Sequence, residues 1–135
     1  GGLPLERMKE AYGMLYAIEN GLRRYIHDEM MSRYGTKWES IDLNIPFRRR
    51  PLSHSYFYDL ENYLRFYNFK IPHGFILNLK RLYPIRNKIA HCHELTEDEY
   101  QMLEAAYELI MDFVCSKVPI LKRERDEPKL GKVHP

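Results

Sequence analysis

The feature that most limits the fold is a run of thirty residues with a single helical period. Between residues 5 and 34, Met8, Ala11, Tyr12, Leu15, Ile18, Leu22, Tyr25, Ile26 and Met30 recur at helical spacing. That spacing draws one apolar stripe along one long amphipathic helix. Gly13 and Gly21 weaken it locally without breaking the period. Gly35 stands just past its end, where a left-handed terminal residue is favoured. A stripe this long must be covered, and the rest of the chain supplies only more helices. No segment alternates with the period of a strand.

Residues 56–68 repeat Phe57, Leu60, Tyr63, Leu64 and Tyr67, which predicts a second helix. Aromatics on such a stripe are expected in the core rather than stacked on bases. A third helix is expected over residues 73–92, with Phe75, Ile76, Leu79, Leu82, Tyr83, Ile89 and Ala90 on its apolar side. Pro84 inside it removes one backbone hydrogen bond and is expected to bend the chain. Thr96-Glu97-Asp98-Glu99 reads as a capping box with acids in the first turn of a fourth helix. There Tyr100, Leu103, Ala106, Tyr107, Ile110, Phe113 and Val114 face inward. Residues 36–55 are irregular and hold Trp38, Pro46 and Pro51. A loop of this length in a small domain is functional or mobile. Its Arg48, Arg49 and Arg50 form either a solvated loop tip or an arm that contacts RNA phosphates. Beyond Lys117 the chain turns charged and proline-containing, as a tail or linker does. The expected fold is all-α: an up-and-down four-helix bundle over 1–117 with a flexible charged tail over 118–135.

Composition enters as a set of exclusions. The 135 residues suffice for one domain with a core. A net charge of +2 is too small to argue nucleic-acid binding from charge alone. Cys92 and Cys115 give no disulfide framework and fit a reducing cytosol. No stretch of apolar residues is long enough for a membrane span, and no signal-peptide pattern opens the chain. The expected location is cytoplasmic, or nuclear in a eukaryote. A Gly-Gly start without an initiator methionine is what a piece of a longer protein would show.

The third helix carries Arg86-Asn87-x-x-Ala90-His91 near its end. Arg86 falls near the centre of the apolar arc, where an arginine is costly unless paired. Glu19 falls near the centre of the first helix's arc, so a buried Glu19–Arg86 pair is expected. Arg23, one turn from Glu19, is the competing partner, and a solvated Glu19 is the alternative. If the pair is buried, truncating Arg86 leaves Glu19 unpaired and costs several kcal/mol. Asn87 and His91 are four apart and share an edge. Tyr83, Lys88 and His93 lie close by. His91-Cys92-His93 is a poor metal site, because adjacent helical residues point to different faces. There is no glycine-rich phosphate loop, no Cys-x-x-Cys and no His-Glu-x-x-His, so no cofactor is expected. Any helix can carry Arg and His five apart, so a generic helical interaction domain is one reading of these residues; the chemistry they can support is phosphodiester cleavage of RNA. A neutral imidazole can take the proton of a ribose 2′-OH, and a guanidinium can hold the phosphate oxygens.

This motif resembles the Arg-x4-6-His signature of the HEPN superfamily, the higher eukaryote and prokaryote nucleotide-binding domains. The polar Asn87 after the arginine fits, as do the apolar approach ending Leu82-x-x-Ile85 and the turn Leu95-Thr96-x-x-Glu99. Glu19-x-x-Leu22-Arg23-x-x-Ile26 and Tyr34-Gly35-x-x-Trp38 are similar to the branch found beside a PIN nuclease in transcript quality control. The similarity spans about residues 5–117, and Pro84 departs from it. The resemblance implies a homodimer through the motif helix, with Arg86, Asn87 and His91 of both copies lining one cleft. It implies a metal-independent endoribonuclease that leaves a 2′,3′-cyclic phosphate, as in toxins, antiviral defence or RNA quality control. His91 would be the base, Arg86 the phosphate ligand and Asn87 the orienting group, with Glu19, Arg23, Tyr83, Lys88 and His93 in support. An antitoxin or a further domain of a larger protein would be a partner. The other function open to such a domain is a non-catalytic module for RNA binding, nucleotide binding or dimerisation.

Overall fold

The computed structural model describes residues 4–41 and 50–127, and every described element is helical. Five α-helices run α1 Pro4–Tyr34, α2 Phe57–Phe66, α3 Phe75–Ala90, α4 Glu97–Lys117 and α5 Pro119–Asp126. Short 3-10 turns stand at Trp38–Ser40 and Leu52–His54. The arrangement is compatible with a helical bundle. α1 packs most extensively against α4, and α2 and α3 each close onto α1 and onto one another. No helix among the described residues is long and apolar enough to cross a membrane.

The periodic stripes become the core. Ala11, Leu15, Ile18, Leu22, Ile26 and Met30 of α1 are buried against Leu103, Ala106, Ile110 and Val114 of α4 and Phe75, Leu79 and Leu82 of α3. Each such aliphatic or aromatic side chain contributes about 1.5–3 kcal/mol by leaving water. Gly21 faces α4 closely. A Cβ there would stand 3.4 Å from Met111 Sδ and from Val114 Cγ1. The α2 aromatics Phe57, Tyr63 and Tyr67 are buried, as their period predicts. Trp38 packs edge-on to Tyr63, with ring centroids 6.0 Å apart, and pins the α1–α2 connection to the core.

Three expectations need correction. Tyr12 lies on the predicted stripe but is 60% exposed, because it faces the open groove between α1 and α3 while the adjacent Ala11 is buried. α3 begins at Phe75 rather than His73, since Gly74 caps it with a φ of 81° that other residues resist. Pro84 lies inside α3, as expected, and the helix runs through it to Ala90. Pro84 is exposed, which leaves the ring on the solvent side. The segment after Lys117 is not wholly a tail. Val118 is buried and Pro119, preset for the first helical position, starts α5, whose Arg125 Nη1 bonds Asp112 Oδ1 at 2.9 Å.

The capping box of α4 stands as predicted. Glu99 N–H donates to Thr96 Oγ1 at 3.1 Å, and Thr96 N–H donates to Glu99 Oε1 at 2.8 Å. Lys88 Nζ also donates to Glu99 Oε1, at 2.7 Å. That bond holds the Glu99 carboxyl below its ordinary range. Lys88 therefore ties the end of α3 to the start of α4.

Candidate functional site

Arg86 and Glu19 meet as the two inward charges predict. Arg86 Nε donates to Glu19 Oε1 at 3.2 Å. The pair is half-buried rather than buried: the Arg86 side chain is 34% exposed and that of Glu19 17%. Arg23 does not displace it but shares the carboxylate, its Nη2 lying 3.4 Å from Glu19 Oε2. The rest of the Arg23 guanidinium is anchored elsewhere. Its Nε and Nη2 bond Ser55 Oγ and the Ser55 carbonyl at 3.1 and 2.9 Å, which docks the start of α2 on α1. Two guanidiniums around one carboxylate leave one net positive charge at this spot.

Among the described residues no hydrogen bond uses Arg86 Nη1 or Nη2. The carboxylate therefore orients the guanidinium by its inner edge and leaves the outer fork open. That fork suits bidentate contact with a phosphate. Arg86 lines two open concavities, each of roughly 400 Å³. One, of about 410 Å³, lies between α1 and α3, with Tyr12, Tyr16, Ile89 and Cys92 among its walls. The other, of about 420 Å³, is walled by Tyr56, Phe57, Tyr58, Tyr83 and Asn87.

His91 stands at the helix end and lines neither concavity. Its backbone N–H donates to the Asn87 carbonyl at 3.1 Å, but no hydrogen bond joins the two side chains, both of which are exposed. Asn87 thus does not orient the imidazole within one chain. Nor does a hydrogen bond among the described residues join Arg86 to His91. The termination of α3 explains where His91 is held. Cys92 N–H bonds the Ile89 carbonyl at 3.1 Å and His93 N–H bonds the Lys88 carbonyl at 2.8 Å, a Schellman ending. Cys92 occupies its left-handed position with φ 59°, which costs a residue with a Cβ about 1–2 kcal/mol. Cys92→Gly is expected to raise stability by about 0.5–1 kcal/mol, read as a higher urea midpoint at constant slope. The His93 ring lies 6.2 Å from that of His91 and makes no closer contact with the motif.

The other expected site residues have structural duties. Tyr83 O–H donates to Glu61 Oε1 at 2.6 Å. Burial, then this bond, pushes its phenol above the ordinary tyrosine range, so it keeps its proton. Arg50 Nη1 reaches Asp59 Oδ1 at 3.1 Å and Tyr58 Oη at 2.7 Å, so the last arginine of the triplet is not a bare loop tip. Arg48 and Arg49 lie outside the described residues. Glu61, buried and bonded also to Arg65 at 3.2 Å, was legible but overlooked: it sits four residues past Phe57, on the α2 stripe.

Compared with protein-family models, with curated proteins and with solved structures, the chain gives no match in any of the three.

Proposed function

We propose that this chain is a metal-independent endoribonuclease of the HEPN type, an up-and-down bundle whose site is completed by a second copy. One observation carries the reading. Arg86 is held by Glu19 through Nε, with Nη1 and Nη2 unengaged by any described residue, in a spot of net positive charge at the lip of two grooves. In this reading the open fork binds the non-bridging oxygens of a phosphodiester. An imidazole takes the 2′-OH proton, the 2′-oxygen attacks phosphorus, the bond to the 5′-oxygen breaks, and the imidazolium returns the proton to that oxygen. The products are a 2′,3′-cyclic phosphate and a 5′-hydroxyl.

No hydrogen bond among the described residues joins His91 to Arg86 of the same chain, which supports a site built from two chains. The apolar groove beside Arg86 continues toward the start of α1 past Leu5, Met8 and Tyr12. Leu5, Tyr12 and Tyr16 are each 60% or more exposed, a surface that a second copy would cover. Pairing there would bring two motif ends together, with Asn87 free to meet the partner's imidazole or the RNA.

A second reading, a non-catalytic RNA-binding module, is favoured by the exposed His91 side chain, which makes no hydrogen bond among the described residues. Incubation of the chain with single-stranded and hairpin RNA in EDTA separates the two. Fragments ending in 2′,3′-cyclic phosphate are expected. Intact RNA bound to folded protein would replace the enzyme with the module.

A further inference from the structure

The second groove beside Arg86 has walls that phosphate chemistry does not use. Tyr56 and Tyr58 are off the α2 stripe, and both rings are about half exposed while the core is already filled by Phe57, Tyr63 and Tyr67. Their ring centroids are 5.9 Å apart. They are not loosely placed. Tyr56 N–H donates to Asp59 Oδ2 at 2.7 Å, which fixes the first turn of α2. The Arg50 guanidinium lies 4.6 Å from the Tyr56 ring centroid and backs both rings without lining the groove. Tyr83 forms another wall, its ring edge-on to Phe57 at 5.5 Å and its hydroxyl committed to Glu61. The groove is thus preformed, aromatic on one side and bounded by Arg86 and Asn87 on the other.

We propose that this groove is a nucleobase subsite for single-stranded RNA. A base lies against the Tyr56 and Tyr58 rings, the Asn87 amide meets its edge, and Arg86 holds the adjoining phosphate. Flat π-faces beside a cation are the recurring means of holding unpaired bases. The Asn87 amide supplies both donors and an acceptor for a base edge. A volume of about 420 Å³ admits one nucleoside. The subsite rests on the reading of Arg86 as a phosphate ligand, but not on any cleavage.

The test uses the full chain carrying His91→Ala, in EDTA, titrated with fluorescent pentaadenylate RNA and with an abasic chain of equal length. Tyr56→Ala with Tyr58→Ala is expected to weaken pentaadenylate binding about tenfold. Phenylalanine at both positions should preserve binding, and the abasic chain should bind as weakly as the alanine pair. Circular dichroism checks that the alanine pair is folded, which the backbone role of Tyr56 in the α2 cap predicts. Unchanged affinity in the folded alanine pair, or equal binding of the abasic chain, overturns the subsite. If the parent cleaves RNA and the alanine pair binds normally, the subsite alone falls. If the binding pattern holds and the parent cleaves nothing, the ribonuclease reading falls and the subsite stands.

Discussion

His91→Ala is expected to lower RNA cleavage about 10²–10⁴-fold while leaving the urea midpoint unchanged. The imidazole is exposed, and only the backbone of His91 closes α3, through its N–H to the Asn87 carbonyl. Alanine keeps that bond. Arg86→Ala is expected to remove cleavage to a similar degree, again with little loss of fold. A buried pair would have made that truncation cost several kcal/mol. Here Arg86 is one-third exposed, and Glu19 keeps Arg23 as a partner at 3.4 Å. Solvent screening therefore reduces the expected cost to about 1 kcal/mol. Cleavage assays beside urea curves check both statements. A His91→Ala chain that unfolds as readily as a core variant would remove the imidazole from the chemistry.

Trp38→Ala is expected to be the most destabilising of these substitutions, by about 3–5 kcal/mol. The indole is 1% exposed and fills the space between α1 and α2, against the Tyr63 and His27 rings at 6.0 and 6.4 Å. Its loss opens a cavity that helices held from several sides cannot close. Because Trp38 is the sole tryptophan, circular dichroism rather than fluorescence should follow the unfolding. A loss under about 1 kcal/mol would mean that the 3-10 turn at Trp38–Ser40 is not part of the core.

The stripes on α1, α2, α3 and α4 were legible because burial imposes the helical period on side chains directly. The Glu19–Arg86 contact was legible for the same reason: two opposite charges on inward arcs need each other. Its half-exposure was not, because it depends on how far α1 and α3 diverge, and no local pattern encodes that angle. The same applies to Tyr12, which keeps the period but faces the open groove between α1 and α3. α5 was hidden by its composition. Eight residues rich in charge read as a tail, and the buried Val118 with the Arg125–Asp112 bond decides otherwise. At the site, Arg86, Asn87 and His91 were named from the motif, yet the open fork of Arg86 and the Tyr56–Tyr58 wall arise only from tertiary packing.

Mixing two variants tests most directly the proposal that two copies of the chain share one ribonuclease site. Arg86→Ala and His91→Ala chains are each purified, shown to be folded and dimeric, then combined after brief dissociation and incubated with RNA in EDTA. Cleavage with 2′,3′-cyclic phosphate ends that neither variant gives alone is the predicted result, since one copy then supplies Arg86 and the other His91. A mixture as silent as its components, with exchange of subunits verified, would contradict the shared site.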